Sequence, residues 1–188
     1  METTTSAVQM GYPTITKVIG NLTLAMSLSF VIVDYHNPTH GQHLLDMLDQ
    51  YARDPMGGNQ PLDATVKQRL IHELQRQPQA LSVLAYSDER PSTPIALANC
   101  FMGFSTFKAK PLINIHDCVV AEAVRGQGVG QALLAYIEQI AVERGCCKIT
   151  LEVLEGNKGA QAAYRKFGFK AYELDDAAGQ ALFWEKAL

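Results

Sequence analysis

The chain has 188 residues, 47% of them hydrophobic and 19% charged, with a net charge of −3. That length suits one domain with a proper core and leaves little room for a second. The composition excludes a fibrous or disordered chain, and with no basic stripe the chain lacks the footprint of a nucleic-acid binder.

Val18 to Val33 carries no charge, yet this run is shorter than the ~20 residues a membrane span needs, and only Lys17 stands before it. Its end, residues 29–35, reads as a buried first strand. The fold is expected to start at Met26, with residues 1–25 an extension outside it and 26–188 a single domain. Asn37-Pro38 then opens a helix, a capping side chain followed by proline at the first helical position. Leu44, Leu45 and Leu48 supply its apolar stripe, Asp54-Pro55 ends it, and Gly57-Gly58 opens a loop. A second helix spans 62–75, with Val66, Leu70, Ile71 and Leu74 on one face. Residues 80–86 and 95–104 read as strands joined by the polar turn Ser87 to Pro94, which holds two prolines. A strand over 113–121 precedes a helix over 128–144, with Val129, Leu133, Ile137 and Ile140 inward and Gly145 as its stop. A strand over 148–154, a helix over 158–167 and final strands over 169–174 and 181–186 complete the order β-α-α-β-β-β-α-β-α-β-β. That is a mixed α/β domain with a central βαβ unit.

Four cysteines (Cys100, Cys118, Cys146 and Cys147) form no C-x-x-C pair, so a zinc site is not expected. They read as free thiols of a reducing cytoplasm. His40 and His43 share a helical face near His36 without a compelling carboxylate partner. They read as a solvated face, not as metal ligands.

The segment richest in chemistry is Arg125-Gly-Gln-Gly-Val-Gly130, between a strand and a helix. Glycines there let backbone N–H groups point into one concavity, the helix N-terminus adds partial positive charge, and Arg125 adds a full one. These are the elements of a phosphate cradle. A nucleotide P-loop would need Gly-Lys-Ser/Thr, but Gln131-Ala132 follows Gly130. A dinucleotide fingerprint would need glycine at 131 or 133, and neither position has it. A turn that merely requires glycine remains the alternative.

Arg125-x-x-Gly128-x-Gly130 resembles the Q/R-x-x-G-x-G/A signature of the GNAT superfamily of N-acetyltransferases. A second run does so too: Leu151-Glu-Val153, then Asn157-x-x-Ala160-x-x-x-Tyr164, then Phe167-Gly-Phe169. The approach Pro111 to Asp117 is similar to that of the diamine acetyltransferases. There His116 stands in place of the first acid of their acidic pair, and Asp117 matches the second. The resemblance implies a GNAT-type mixed, mostly antiparallel twisted sheet. It implies acetyl-CoA as co-substrate, with no metal, its pantetheine arm pairing with Cys118, Val119 and Val120. The pyrophosphate would lie on Arg125, Gly126, Gln127, Gly128, Val129, Gly130 and Gln131, with Asn157 and Ala160 flanking the arm.

The implied reaction is direct attack of a neutral amine on the thioester, the oxyanion held by the Val120 N–H. Tyr164 matches the family's general acid; otherwise it is a core aromatic. A primary amine has a pKa of ~10, so a base is needed. His116 is the first candidate and Glu152, through water, the second; the alternative for His116 is a structural role. Alternation along a strand puts His116 and Asp117 on opposite faces, so only one faces the substrate unless a bulge intervenes. The expected acceptor is a small-molecule amine: a polyamine, an amino-acid-like amine or an aminoglycoside-type compound. The alternatives are protein or peptide N-acetylation and a catalytically silent acyl-CoA sensor. A homodimer is expected, with no nucleic-acid or membrane partner.

Overall fold

Two nearly unbroken apolar runs, Leu81-Ser-Val-Leu-Ala-Tyr86 and Ile95-Ala-Leu-Ala-Asn-Cys100, are too short for helices and are buried throughout. They form the middle of the sheet, which can be covered on both faces. The computed structural model describes residues 26–173, 179 and 181–188, so the expectation for residues 1–25 falls outside the described residues. The strands are β1 Leu28–Ile32, β2 Ala80–Ser87, β3 Arg90–Ser105, β4 Lys110–Val120 and β5 Ile149–Leu151. The helices are α1 Pro38–Arg53, α2 Ala64–Gln75, α3 Val129–Glu143 and α4 Lys158–Phe167. The sheet order is β1-β2-β3-β4-β5. The first three pairings are antiparallel; β4 and β5, joined through α3, are parallel. This is the expected mixed α/β class.

α1 starts where expected. The Asn37 side chain accepts from the N–H groups of Thr39 and His40, and Pro38 takes the first turn. On one face of the sheet α1 and α2 cover Leu84, Leu97 and Val119 with Leu44, Met47, Leu48 and Leu74. On the other, α3 packs Val129, Leu133, Ile137 and Ile140 against Val83, Ala98, Ile113 and Ile115. Burying each large aliphatic side chain contributes about 1.5–3 kcal/mol, so these two stripes fix which way each helix faces. Val66 departs from the expected α2 stripe and is 42% exposed, because α2 reaches the sheet only through its second half.

Three stretches differ from the sequence expectation. The polar turn at 87–94 shrinks to Asp88-Glu89, because bulges set Tyr86 opposite Pro94 and Ser87 opposite Arg90. Proline is tolerated at such irregular positions, where no ladder donor is missed. β5 is a three-residue strand, not a seven-residue one. The strands expected at 169–174 and 181–186 form no ladder among the described residues. One backbone hydrogen bond, from Ala181 N–H to Tyr172 O, joins them, and Leu182, Phe183 and Trp184 are exposed.

Candidate active site

The β4–β5 ladder ends at Ile115↔Leu151, while β4 continues to Val120 against β3 alone. Beyond residue 115 the two strands therefore part, and one edge of β4 is open. Ala121 N–H donates to Ile95 O at 2.9 Å. Antiparallel ladders alternate, so Val119 also turns its backbone to β3, while Cys118 and Val120 present theirs to the gap. This refines the expected trio: the Val119 backbone is taken by β3, and its side chain is buried against α1.

The gap leads to the start of α3. Gly126 and Gly128 hold positive φ of 79° and 89°, conformations that cost little only for glycine. Gly128 is the N-cap of α3 and offers no side-chain hydrogen bond. The first N–H groups of the helix, from Val129, Gly130 and Gln131, have no intrahelical acceptors and face outward with the positive end of the dipole. These features suit a phosphate. Gln131 and Gln127 serve the frame, donating to Ala163 O at 2.9 Å and Ala123 O at 3.1 Å.

Arg125 is engaged within the protein. Its guanidinium donates to Val120 O at 3.0 Å and pairs with Asp54 at 2.8 Å. Its charge is thus compensated by the C-cap of α1, and the cradle owes its positive character to backbone. Asn157, expected beside the cofactor, uses its side-chain oxygen to cap α4 by accepting from Ala160 N–H at 3.0 Å. Both residues hold local structure: Arg125 ties β4 to the end of α1, and Asn157 caps α4.

Tyr164 comes off α4 on the α3 side of the sheet. The left-handed Gly168 ends that helix and turns Phe169 back, so that its ring meets Tyr164 edge-on at 5.8 Å. Tyr164 and Cys118 influence each other electrostatically at the open edge of β4. Burial, with Cys118 adding to it, pushes the phenol well above its usual range, so it stays protonated. Burial likewise pushes Cys118 up to about 11 against the opposing influence of Tyr164, which leaves the thiol neutral and not a nucleophile.

On the opposite face lies the bulge that the strand alternation alone would not show. Asn99 pairs with Asp117 and Cys100 with Ile115, so His116 is the extra residue of β4. His116 and Asp117 consequently both line one cavity of about 370 Å³ under α1 and α2. His116 stands edge-on to Phe101 at 5.8 Å. Asp117 Oδ2 accepts from Asn99 Nδ2 at 3.0 Å, and Asn99 Oδ1 accepts from Ser82 Oγ at 2.7 Å. The Ser82 hydrogen is thereby used, so Tyr35 supplies the hydrogen of the 2.9 Å contact between their hydroxyls. Ser82 and Asn99 are 2% and 5% exposed. They form a buried, one-directional chain that ends on the Asp117 carboxylate.

Sequence reading missed Asn99, Ser82 and Tyr35. The available signal was a polar residue in each of two otherwise apolar strands. It also missed Tyr51, from the last turn of α1, which lines the cavity. Burial first, then the Asp117 charge, raises its phenol. Glu152 accepts from Asn114 Nδ2 at 3.2 Å, is exposed, and does not line this cavity. His40 and His43 are not merely solvated: Asp34 N–H donates to His40 Nδ1 at 3.1 Å, and His43 Nδ1 contacts Tyr86 Oη at 2.9 Å.

Residues 44–169 match the model of the acetyltransferase (GNAT) family. The chain is similar to thialysine N-epsilon-acetyltransferase of Bos taurus, 32% identical over 83 residues, 44% of this chain and 47% of that protein. It is also similar to streptothricin acetyltransferase of Streptomyces lavendulae, 40% identical over 68 residues, 36% of each chain. The chain thus spans about half or less of the curated relatives it matches. Among solved structures, an aminoglycoside acetyltransferase from an uncultured soil metagenomic sample, in complex with sisomicin, superposes with a TM-score of 0.68. It is 16% identical and covers 86% of this chain and 96% of that one, a likeness of fold.

Proposed function

The chain belongs to the acetyltransferase (GNAT) family, and on that premise we propose that it transfers the acetyl group of acetyl-CoA to a primary amine of a small molecule by direct attack. The observation that carries this reading is the pair of faces around Cys118. A protonated Tyr164 stands on one side of the open β4 edge, and His116 with Asp117 stands on the other.

The residues present fit the co-substrate. The open edge of β4 offers the Cys118 backbone to an extended amide chain, ahead of the Val120 N–H. The uncapped start of α3 suits a pyrophosphate. Bound there, acetyl-CoA supplies the activated acyl group. The chain's own residues then divide the work. The Val120 N–H donates to the developing oxyanion. Tyr164 donates its hydrogen to the departing sulfur as negative charge builds on it. His116, or Asp117 beside it, receives the proton that the amine must lose. Burial raises Cys118 to about 11, which supports direct transfer over an acyl-cysteine intermediate.

The relatives bear on the acceptor only through their names. Thialysine, streptothricin and aminoglycosides all carry amino groups, which supports a small-molecule amine. The test is thiol release from acetyl-CoA across a panel of amines, with calorimetric titration of acetyl-CoA alongside. Amine-dependent release is expected. Tight acetyl-CoA binding with no release from any amine would instead make the chain an acyl-CoA sensor.

A further inference from the structure

The cavity beneath α1 and α2 has a chemistry that narrows the acceptor further; this step rests on the acetyl-transfer reading above. Its walls are apolar: Leu48 from α1, Leu62 ahead of α2, Leu70 and Leu74 within it, and Phe101 from β3. Tyr51 adds a ring. Its polar groups come from neighbouring positions around the bulge, Asn99, His116 and Asp117. At about 370 Å³ the space is that of roughly a dozen waters, small for a ligand site.

The charges decide what fits. Asp117 is the one acidic residue that lines the cavity among the described residues. Asp117 is held by a neutral amide, Asn99, and has no basic partner among its hydrogen bonds and ion pairs. The two nearby carboxylates of α1 are different. Asp49 accepts from Leu62 N–H at 2.8 Å and pairs with Lys67 at 2.8 Å and Arg53 at 3.0 Å. Asp54 is matched by Arg125 at 2.8 Å. Among the described residues Asp117 is therefore the one carboxyl group that faces this chamber, and it has no ion-pair partner there. A ligand with a single amine places it there and buries the rest of its surface against leucines. A second ammonium drawn in beside the first would have to leave water for a hydrocarbon wall with no second counter-charge, a cost of several kcal/mol.

We propose that the acceptor is a primary monoamine on an aromatic or branched aliphatic body. The nitrogen sits at Asp117 and His116, and the body lies against Leu62, Leu70, Leu74 and Phe101. On this reading polyamines and aminoglycosides are poor acceptors, although related proteins carry aminoglycosides in their names.

The experiment compares 2-phenylethylamine and 3-methylbutylamine with spermidine and kanamycin, on the full chain. Binding is titrated with CoA present, and thiol release is measured with acetyl-CoA. The monoamines should bind and react at least ~10-fold better than the polycations, the scale of discrimination an apolar pocket supplies. Spermidine or kanamycin binding as tightly as 2-phenylethylamine would overturn the inference, and so would failure of the monoamines to bind. If the monoamines bind but no amine releases thiol, acetyl transfer fails while the pocket assignment stands. If thiol is released only with polycations, transfer stands and the pocket assignment falls. A second arm uses Leu70→Asp, a half-buried wall position outside the reacting groups. It should move the spermidine-to-phenylethylamine ratio ~10-fold or more toward spermidine; an unchanged ratio would show that this wall does not meet the acceptor.

Discussion

Asn99→Leu tests whether the buried chain of hydrogen bonds holds Asp117 in place. The side chain is nearly isosteric, so packing survives while two bonds are lost, Ser82 to Asn99 at 2.7 Å and Asn99 to Asp117 at 3.0 Å. A bond to a carboxylate contributes about 1.5–3 kcal/mol, and a stranded buried hydroxyl costs about 1–3 kcal/mol. The second cost is largely avoidable. Ser82 can reverse and donate to Tyr35, whose hydroxyl is close enough at 2.9 Å and whose ring lies only partly buried. The expected loss is therefore about 2–3 kcal/mol, a fall in Tm of about 5–10 °C for a domain of this size. Urea unfolding should show the midpoint lowered at constant slope. Asp117→Ala in the same background should recover part of the loss, a coupling of at least ~0.5 kcal/mol. The amine KM should rise more than kcat falls, because a carboxylate freed from Asn99 no longer points at the acceptor. A loss below ~0.5 kcal/mol, additive with Asp117→Ala, would refute the chain as a support for Asp117.

The other predictions concern the two faces of the site and its frame. Tyr164→Phe keeps the ring against Phe169 and should lower kcat by ~10²–10⁴ with acetyl-CoA affinity nearly unchanged. Because its phenol is raised, the wild-type rate should not fall between about pH 8 and about pH 10 through loss of this proton; a fall that Tyr164→Phe abolishes would contradict that. His116→Ala should cost most at low pH, where more of the amine arrives protonated, and an equal loss at every pH would make His116 structural. Gly128→Val forces a branched residue to a φ of 89° and should both weaken acetyl-CoA binding and cost ~1–3 kcal/mol of stability. At Gly130 an added Cβ meets only Val120 Cγ2 at 3.6 Å, so Gly130→Ala should leave calorimetric affinity intact and stabilise α3 by up to ~1 kcal/mol. The Lys67 hydrogen bond, helped by Leu62 N–H and Arg53, lowers the Asp49 carboxyl from 3.8 to about 2. Its folded pKa lies below its unfolded one, so the stabilisation is present above about pH 4 and lost as pH falls toward about 2. Its partners are largely solvated, which limits the effect to ~1 kcal/mol. Asp49→Asn should lose that amount at pH 7 and show no deficit near pH 2 in acid-unfolding curves.

Local rules were enough for much of the architecture. Asn37-Pro38 placed the start of α1, because a cap and a proline act over one turn. The spacing of Val129, Leu133, Ile137 and Ile140 placed α3 and its buried face, because helical period is a property of the segment itself. The glycines at 126 and 128, between a strand and a helix, marked a turn of positive φ ahead of α3 because glycine takes that conformation at little cost. Tyr164 stood out only through the resemblance of the run Asn157 to Tyr164, since a lone tyrosine in an amphipathic helix is otherwise a packing residue. Nothing that depended on a partner strand or a distant side chain was legible. That Arg125 pairs with Asp54, 71 positions away in sequence, at 2.8 Å could not be read from its own loop. Asn99, Ser82 and Tyr35 are unremarkable apart, and only the register of three strands joins them to Asp117. The base question shows the division most clearly. Alternation permitted one of His116 and Asp117 on a given face, and both line one cavity because β4 carries one residue more than β3 between two pairs. A bulge is a mismatch between two strands, so no single strand's sequence encodes it.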